Sequence, residues 1–100
     1  MPKISLNVPH QLNQDEAKTR ISRLITEGRA KAGEEISDVE ESWNGYVDTI
    51  RFRARGLSFE GRLEVQAAQV LLDLNLPFAA FMMKSRIEQE LLSHARQLLA

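Results

Sequence analysis

The sequence contains no cysteine, which excludes disulfides, thiolate chemistry and zinc sites built on cysteine. It also lacks a surplus of either charge. Thirteen Lys and Arg stand against 14 Asp and Glu, for a formal net charge of −1, so broad electrostatic binding to DNA is not expected. Long apolar runs are missing too. The longest candidate, Leu74 to Met83, is interrupted by Asn75 and Pro77 and stopped by Lys84. A bilayer-spanning helix needs roughly 18–20 apolar residues, so no transmembrane segment is expected. The opening Met1-Pro2-Lys3-Ile4-Ser5 shows no basic stretch followed by an apolar run. No secretory leader is therefore expected, and a reducing cytoplasm is the expected location. No linker, repeat, low-complexity tract, glycine-rich phosphate loop, nucleophile elbow or recognisable serine–histidine–acid set is present. The composition suggests neither a cofactor nor an enzyme.

What is present is ordinary globular material. One hundred residues, 43% hydrophobic and 27% charged, predict a single α+β domain over residues 1–100 with one core. Ile4, Leu6 and Val8 alternate with polar neighbours as a first strand, which Pro9 ends. Asn13 is a helix cap with Glu16 at the reciprocal position of a capping box. Ala17, Ile21, Leu24, Ile25, Gly28 and Ala32 then form one helical face, with Gly33 as the stop. Ile36 to Trp43 reads as a second strand, followed by Asn44-Gly45, a strong hairpin signal. Strand three puts Ile50, Phe52 and Ala54 on one face and Arg51, Arg53 and Arg55 on the other. Gly56 marks a further turn. Strand four groups Leu57, Phe59, Gly61, Leu63 and Val65, and strand five groups Val70, Leu72, Leu74 and Leu76. The last helix is predicted from Pro77 to about Leu99. The expected order is β-α-β-β-β-β-α, with one antiparallel sheet of about five strands, because the connections between the last four are too short for parallel crossovers.

The last helix carries more apolar surface than one packed side requires. Ala80, Ile87, Leu91, Ala95 and Leu98 form one stripe at helical spacing, while Phe78, Phe81 and Met82 point elsewhere. Either the chain wraps so that both sides are covered within one molecule, or Phe78, Phe81, Met82 and Met83 form a surface for self-association or for hydrophobic contacts.

The polar candidates read more blandly. His10 and His94 lack sequence-local ligand partners and are expected at the surface or a helix end rather than on a metal. Glu34, Glu35, Asp38, Glu40 and Glu41 match no calcium-loop pattern and are expected along a solvated strand edge. Arg51, Arg53, Arg55 and Arg62 share the predicted outer face. They can bind an anion or be neutralised by Glu60, Glu64 and Asp73 on adjoining strands. Trp43, just before the hairpin turn, either closes the core or lines a pocket with Phe52 and Phe59.

Several stretches together resemble the polyhydroxyalkanoic acid system proteins, a family of small bacterial proteins. They are Met1-Pro2-Lys3-Ile4 with Val8-Pro9-His10, Asp15-Glu16-Ala17-Lys18, Glu40-Glu41-Ser42-Trp43-Asn44-Gly45, Leu76-Pro77-Phe78-Ala79-Ala80, and Lys84 to Leu92 with Ile87-Glu88-Gln89. The resemblance implies a bacterial cytosolic protein linked to storage-polyester metabolism, by the company its genes keep. It supplies no catalytic motif. The arginines of strand three depart from what a hydrophobic, granule-coating sheet face would carry. The expected role is that of a non-enzymatic accessory protein of polyhydroxyalkanoate granules, acting through protein or hydrophobic-surface contacts. The alternative is a helix-grip-like module holding an acyl or aromatic ligand in a pocket of about 300 Å³ or more.

Overall fold

The computed structural model describes residues 3–100; Met1 and Pro2, which open the first stretch of family resemblance, lie outside the described residues. Strict alternation buries Ile4, Leu6 and Val8 on one face of β1 (Lys3–Pro9). The chain then crosses the sheet through a helical stretch and descends as four hairpin-linked strands: β2 (Ile36–Asn44), β3 (Val47–Ala54), β4 (Leu57–Val65) and β5 (Gln69–Asn75). All pairings are antiparallel and the sheet order is β1-β5-β4-β3-β2. The observed order is β-α-β-β-β-β-α, as the apolar periodicity predicts.

The first helical stretch has two segments, α1 (Gln14–Ile21) and α2 (Arg23–Ala32). Asn13 caps it, its Oδ1 accepting the Glu16 N–H at 2.8 Å. The break at Ser22 has a local cause. The Thr19 hydroxyl donates to Asp15 O and the Ser22 hydroxyl to Thr19 O, at 3.1 and 2.7 Å, and such back-bonding competes with the helical ladder and bends it. Ala17, Ile21 and Leu24 are buried, but Ile25, Gly28 and Ala32 are only half-buried. The helix therefore lifts away from the sheet along its second segment.

The two tight hairpins differ. Asn44 pairs with Val47, so the β2–β3 turn is Gly45-Tyr46, with φ +61° at Gly45 alone. This is the Gly-X arrangement of a type II′ turn rather than an Asn-Gly turn with both residues left-handed. Ala54 pairs with Leu57, and here both central residues, Arg55 and Gly56, have positive φ (53° and 78°).

The last helix begins differently from the sequence expectation. Pro77 is extended (ψ 151°), Phe78–Met83 form a 3-10 segment, and only then does α3 (Lys84–Leu99) start. The Ala80 N–H donates to Pro77 O at 2.9 Å. The core is the inner face of β1, β4 and β5 under α1 and α3, and includes Ile4, Ile21, Leu63, Val65, Val70, Leu76, Ala95 and Leu98.

One expected surface residue belongs to this framework. His10 is 8% exposed. The Leu12 N–H can only donate, so His10 Nδ1 accepts it at 3.1 Å, which leaves the ring proton on Nε2 to be donated to Gln66 O at 3.0 Å. The imidazole thus pins the end of β1 to the β4–β5 loop, where His10 N also donates to Ala68 O at 2.9 Å. Replacing His10 by Ala removes both side-chain bonds and strands a buried N–H and carbonyl. Urea unfolding is expected to show a loss of about 1–3 kcal/mol.

Candidate functional site

Helices cover this sheet unevenly. Between Ile36 and Ala54, the whole β2–β3 hairpin, Asp48 is the only buried residue. Ile36, Val39, Ile50 and Phe52 are half-buried on the inner face. Together with Leu24, Ile25, Gly28 and Arg29 from α2 and Leu91 from α3, they line a half-open apolar cleft of about 160 Å³. Two glycines help to make the space. Gly61 on β4 sits where an added Cβ would come within 3.1 Å of Ile50 Cγ2. Gly28 has open space around it, with nothing within 4 Å of an added Cβ.

A bulge sets what β2 contributes. Ser37 pairs with Arg53 and Glu40 with Arg51, so Asp38 and Val39 together face Phe52, and Asp38 takes φ 52°. The extra residue shifts the alternation. Val39 and Glu41 then fall on the inner side, where a regular strand starting from Ile36 would have sent them outward. Glu41 pairs with Ile50, and Trp43 with Asp48.

Asp48 is therefore an acid at the floor of an apolar cleft. It is 2% exposed, and its Oδ1 has no hydrogen-bond partner. Burial pushes its carboxyl up to about 8, and the nearby Glu41 carboxyl adds to the rise by hydrogen bonding and repulsion. Asp48 therefore holds its proton at neutral pH. Sequence reading places the acids it weighs at a solvated edge or beside the outer-face arginines, and passes over Asp48. It began strand three's inner face at Ile50, and extending the same alternation back by two residues would have found Asp48.

The predicted aromatic pocket is not assembled. Phe52 lines the cleft, but Phe59 is buried beneath it, stacked on Phe52 with ring centroids 5.1 Å apart. Trp43 is drawn to the other end of the hairpin. Lys18 Nζ lies 5.0 Å from its ring and 5.7 Å from that of Tyr46, and donates to Gly45 O at 2.8 Å. Tyr46 OH in turn donates to Asp15 at 2.6 Å. These contacts fasten α1 to the β2–β3 turn.

The outer-face arginines are engaged. Arg51 pairs with Glu60 at 3.4 Å, Arg55 with Glu35 at 3.2 Å and Arg62 with Glu64 at 3.0 Å, while Arg53 reaches Gly56 O at 3.5 Å. Ion pairs with Glu60, Glu35 and Glu64, of which only Arg51–Glu60 is cross-strand, thus neutralise three of the four arginines on the face proposed for an anion. Of the acidic group on β2 and the preceding turn, Glu40 lies opposite Arg51 and Glu41 turns inward. His94 bridges α3 to α2, its Nε2 lying 2.9 Å from Glu27, and this bond together with Arg23 holds the Glu27 carboxyl below its usual range.

The second candidate surface is the 3-10 segment. Phe78 is 84% exposed, Phe81 54%, Met82 91% and Met83 46%, while Ala80 turns into the core. Residues three apart eclipse one another in a 3-10 helix. Phe78 and Phe81 therefore share one edge, Met82 lies on a second, and Met83 shares the edge of the buried Ala80. Among the described residues no helix is long and apolar enough to cross a membrane.

Asp48 gives the protein a specific pH response. Its unfolded value is near 3.8 and its folded value about 8. The stabilising effect of its bound proton is complete below the first value and lost as pH rises through the second. Unfolding titrations from pH 4 to 8 should show stability falling with pH, with Asp48 contributing at most ~1.4 kcal/mol per pH unit. Asp48→Leu should flatten that slope and raise stability at pH 8 by about 1–3 kcal/mol, since it removes an unpartnered buried oxygen. Separately, Gly28→Ala should stabilise α2 by about 0.5–1 kcal/mol in the same assay.

Residues 4–99 match the model of a protein family described as putative polyhydroxyalkanoic acid system protein. A search of curated proteins finds no match to the chain.

Proposed function

The chain belongs to the polyhydroxyalkanoic acid system family, and from that membership we propose that it serves storage-polyester metabolism as a non-enzymatic accessory protein that adsorbs to the granule's hydrophobic surface. The supporting observation is the segment Phe78–Met83, which presents two phenylalanines and two methionines to solvent. Folding alone gains nothing from exposing four such side chains within one short segment, and clustered exposed apolar groups mark contact surfaces. Methionine adapts to an irregular surface such as an amorphous polyester. In this reading the protein is cytoplasmic and bacterial, and partitions to the granule surface.

Co-sedimentation with amorphous polyhydroxyalkanoate particles tests the proposal. Wild-type protein is expected in the pellet and the double variant Phe78→Ser, Met82→Ser largely in the supernatant. Because both side chains are exposed, the variant should lose no more than about 0.5 kcal/mol of stability. Wild-type protein that stays soluble with the particles would refute surface adsorption. A dimer in sedimentation velocity that dissociates in the double variant would reassign the segment to self-association.

The alternative reading, a helix-grip-like ligand-binding module, expects a larger pocket lined by Trp43, Phe52 and Phe59, of which the cleft holds only Phe52. The cleft's volume of about 160 Å³ is smaller than that alternative's expected pocket, and this limits the ligand to a compact molecule.

A further inference from the structure

The two walls of the cleft complement each other but do not meet. Ile25 and Gly28 line it from α2, and Val39, Ile50 and Phe52 from the hairpin. All five are half-buried, so water reaches apolar surface on both sides. A recess alongside is lined by Ile25, Thr26, Arg29 and Ala30 from α2 and by Val39 and Glu41 from β2. Arg29 and Glu41 stand on its opposite walls. Both are exposed, and among the described residues neither forms an ion pair. The other charged residues that border the cleft do not compete for them. Arg62 pairs with Glu64 at 3.0 Å, Asp73 accepts the Ser5 hydroxyl at 2.8 Å with Lys3 at 3.9 Å, and Asp48 is buried in the floor.

The helix between these walls has a swivel at each end. Ser22 interrupts the helical stretch before α2, and Gly33 after it has φ +60° and ψ −127°, a backbone that glycine adopts freely and other residues resist. α1 is held by the buried Ala17 and Ile21 and by the bonds of Lys18 and Tyr46, whereas on α2 only Leu24 is buried. Beyond Leu24, α2 is tied to α3 through Glu27, which lies 2.9 Å from His94 Nε2. Glu27 sits midway between Ser22 and Gly33, so this tie acts as an axle rather than a stop. We propose that α2 is a strap that rocks between Ser22 and Gly33 and shuts the cleft, with Arg29 pairing with Glu41 and Ile25 packing on Val39 and Ile50. Gly28 carries no side chain to hold the walls apart. Burial of wet apolar surface drives the closure, and the ion pair fixes where the walls meet. The inference goes beyond granule adsorption, which rests on Phe78–Met83, and either can fail without the other.

Because the chain has no cysteine, an engineered pair reports closure without background. Ile25→Cys with Val39→Cys puts one thiol on each wall, and a disulfide forms only when the two Cα atoms come within about 7 Å. In a glutathione redox buffer the full chain is expected to form this bond within one molecule, read on a non-reducing gel. Adding Arg29→Glu should lower the equilibrium constant for the bond roughly three- to tenfold, since an attraction becomes a repulsion. Adding Glu41→Arg as well should restore it, because the swap remakes the pair with its signs exchanged. A folded chain whose thiols stay reduced, or a disulfide that forms equally well with Arg29→Glu, would overturn the proposal. Should the cysteine pair not fold, methyl relaxation dispersion on the native sequence decides. Exchange at Ile25, Val39 and Ile50 that Arg29→Glu suppresses would support the strap, and profiles that are flat or unchanged by the substitution would overturn it.

Discussion

The helical layer of this protein is narrower in effect than the sheet it covers, and most of its other features follow from that mismatch. A sheet face can be dry only where something packs against it, and here α1 and α3 pack on β1, β4 and β5. There the alternation is clean and Ile4, Val8, Val65, Val70 and Leu76 are almost wholly enclosed. On β2 and β3 the same alternation yields half-buried side chains, because α2 lifts off after Ser22. The apolar residues left there surround the cleft.

Three local irregularities shape that cleft, and each has an identifiable chemical cause. Hydroxyl back-bonding by Thr19 and Ser22 interrupts the helix above it. The bulge at Asp38 inverts the alternation of β2 and turns Glu41 inward. Gly61 removes a side chain from the floor, where Ile50 and Leu74 already approach closely. The acid at the bottom is the one feature that packing does not account for. A valine at position 48 would satisfy the fold without an unpartnered oxygen.

Regular elements were legible because their periodicity is a direct consequence of burial. Ile4-Leu6-Val8 and Val70-Leu72-Leu74-Leu76 announce half-buried strands, and Asn13 announces the helix start that it caps. The failures occur where tertiary context overrules local pattern. Asn44-Gly45 is the turn signal of the local pattern, but cross-strand pairing places the turn one residue on, at Gly45-Tyr46. Pro77 has the local character of a first helical residue, yet it is extended and the chain after it winds more tightly through Met83. The exposed segment was legible as an excess of apolar residues, because no arrangement of one helix on one sheet shelters every side of that helix. The cleft was not, since its acid, its bulge and its lifted helix lie on three elements that only the fold brings together.

The clasp between α1 and the β2–β3 turn also gives the molecule an optical reporter. Its only indole, Trp43, is covered on one side by Lys18 and faces Asp48 across the β2–β3 ladder. One native chromophore therefore sits between the ammonium that fastens the helix and the carboxyl that carries the buried proton. Its emission can follow helix docking and proton release in unlabelled protein, with no second tryptophan to blur the signal.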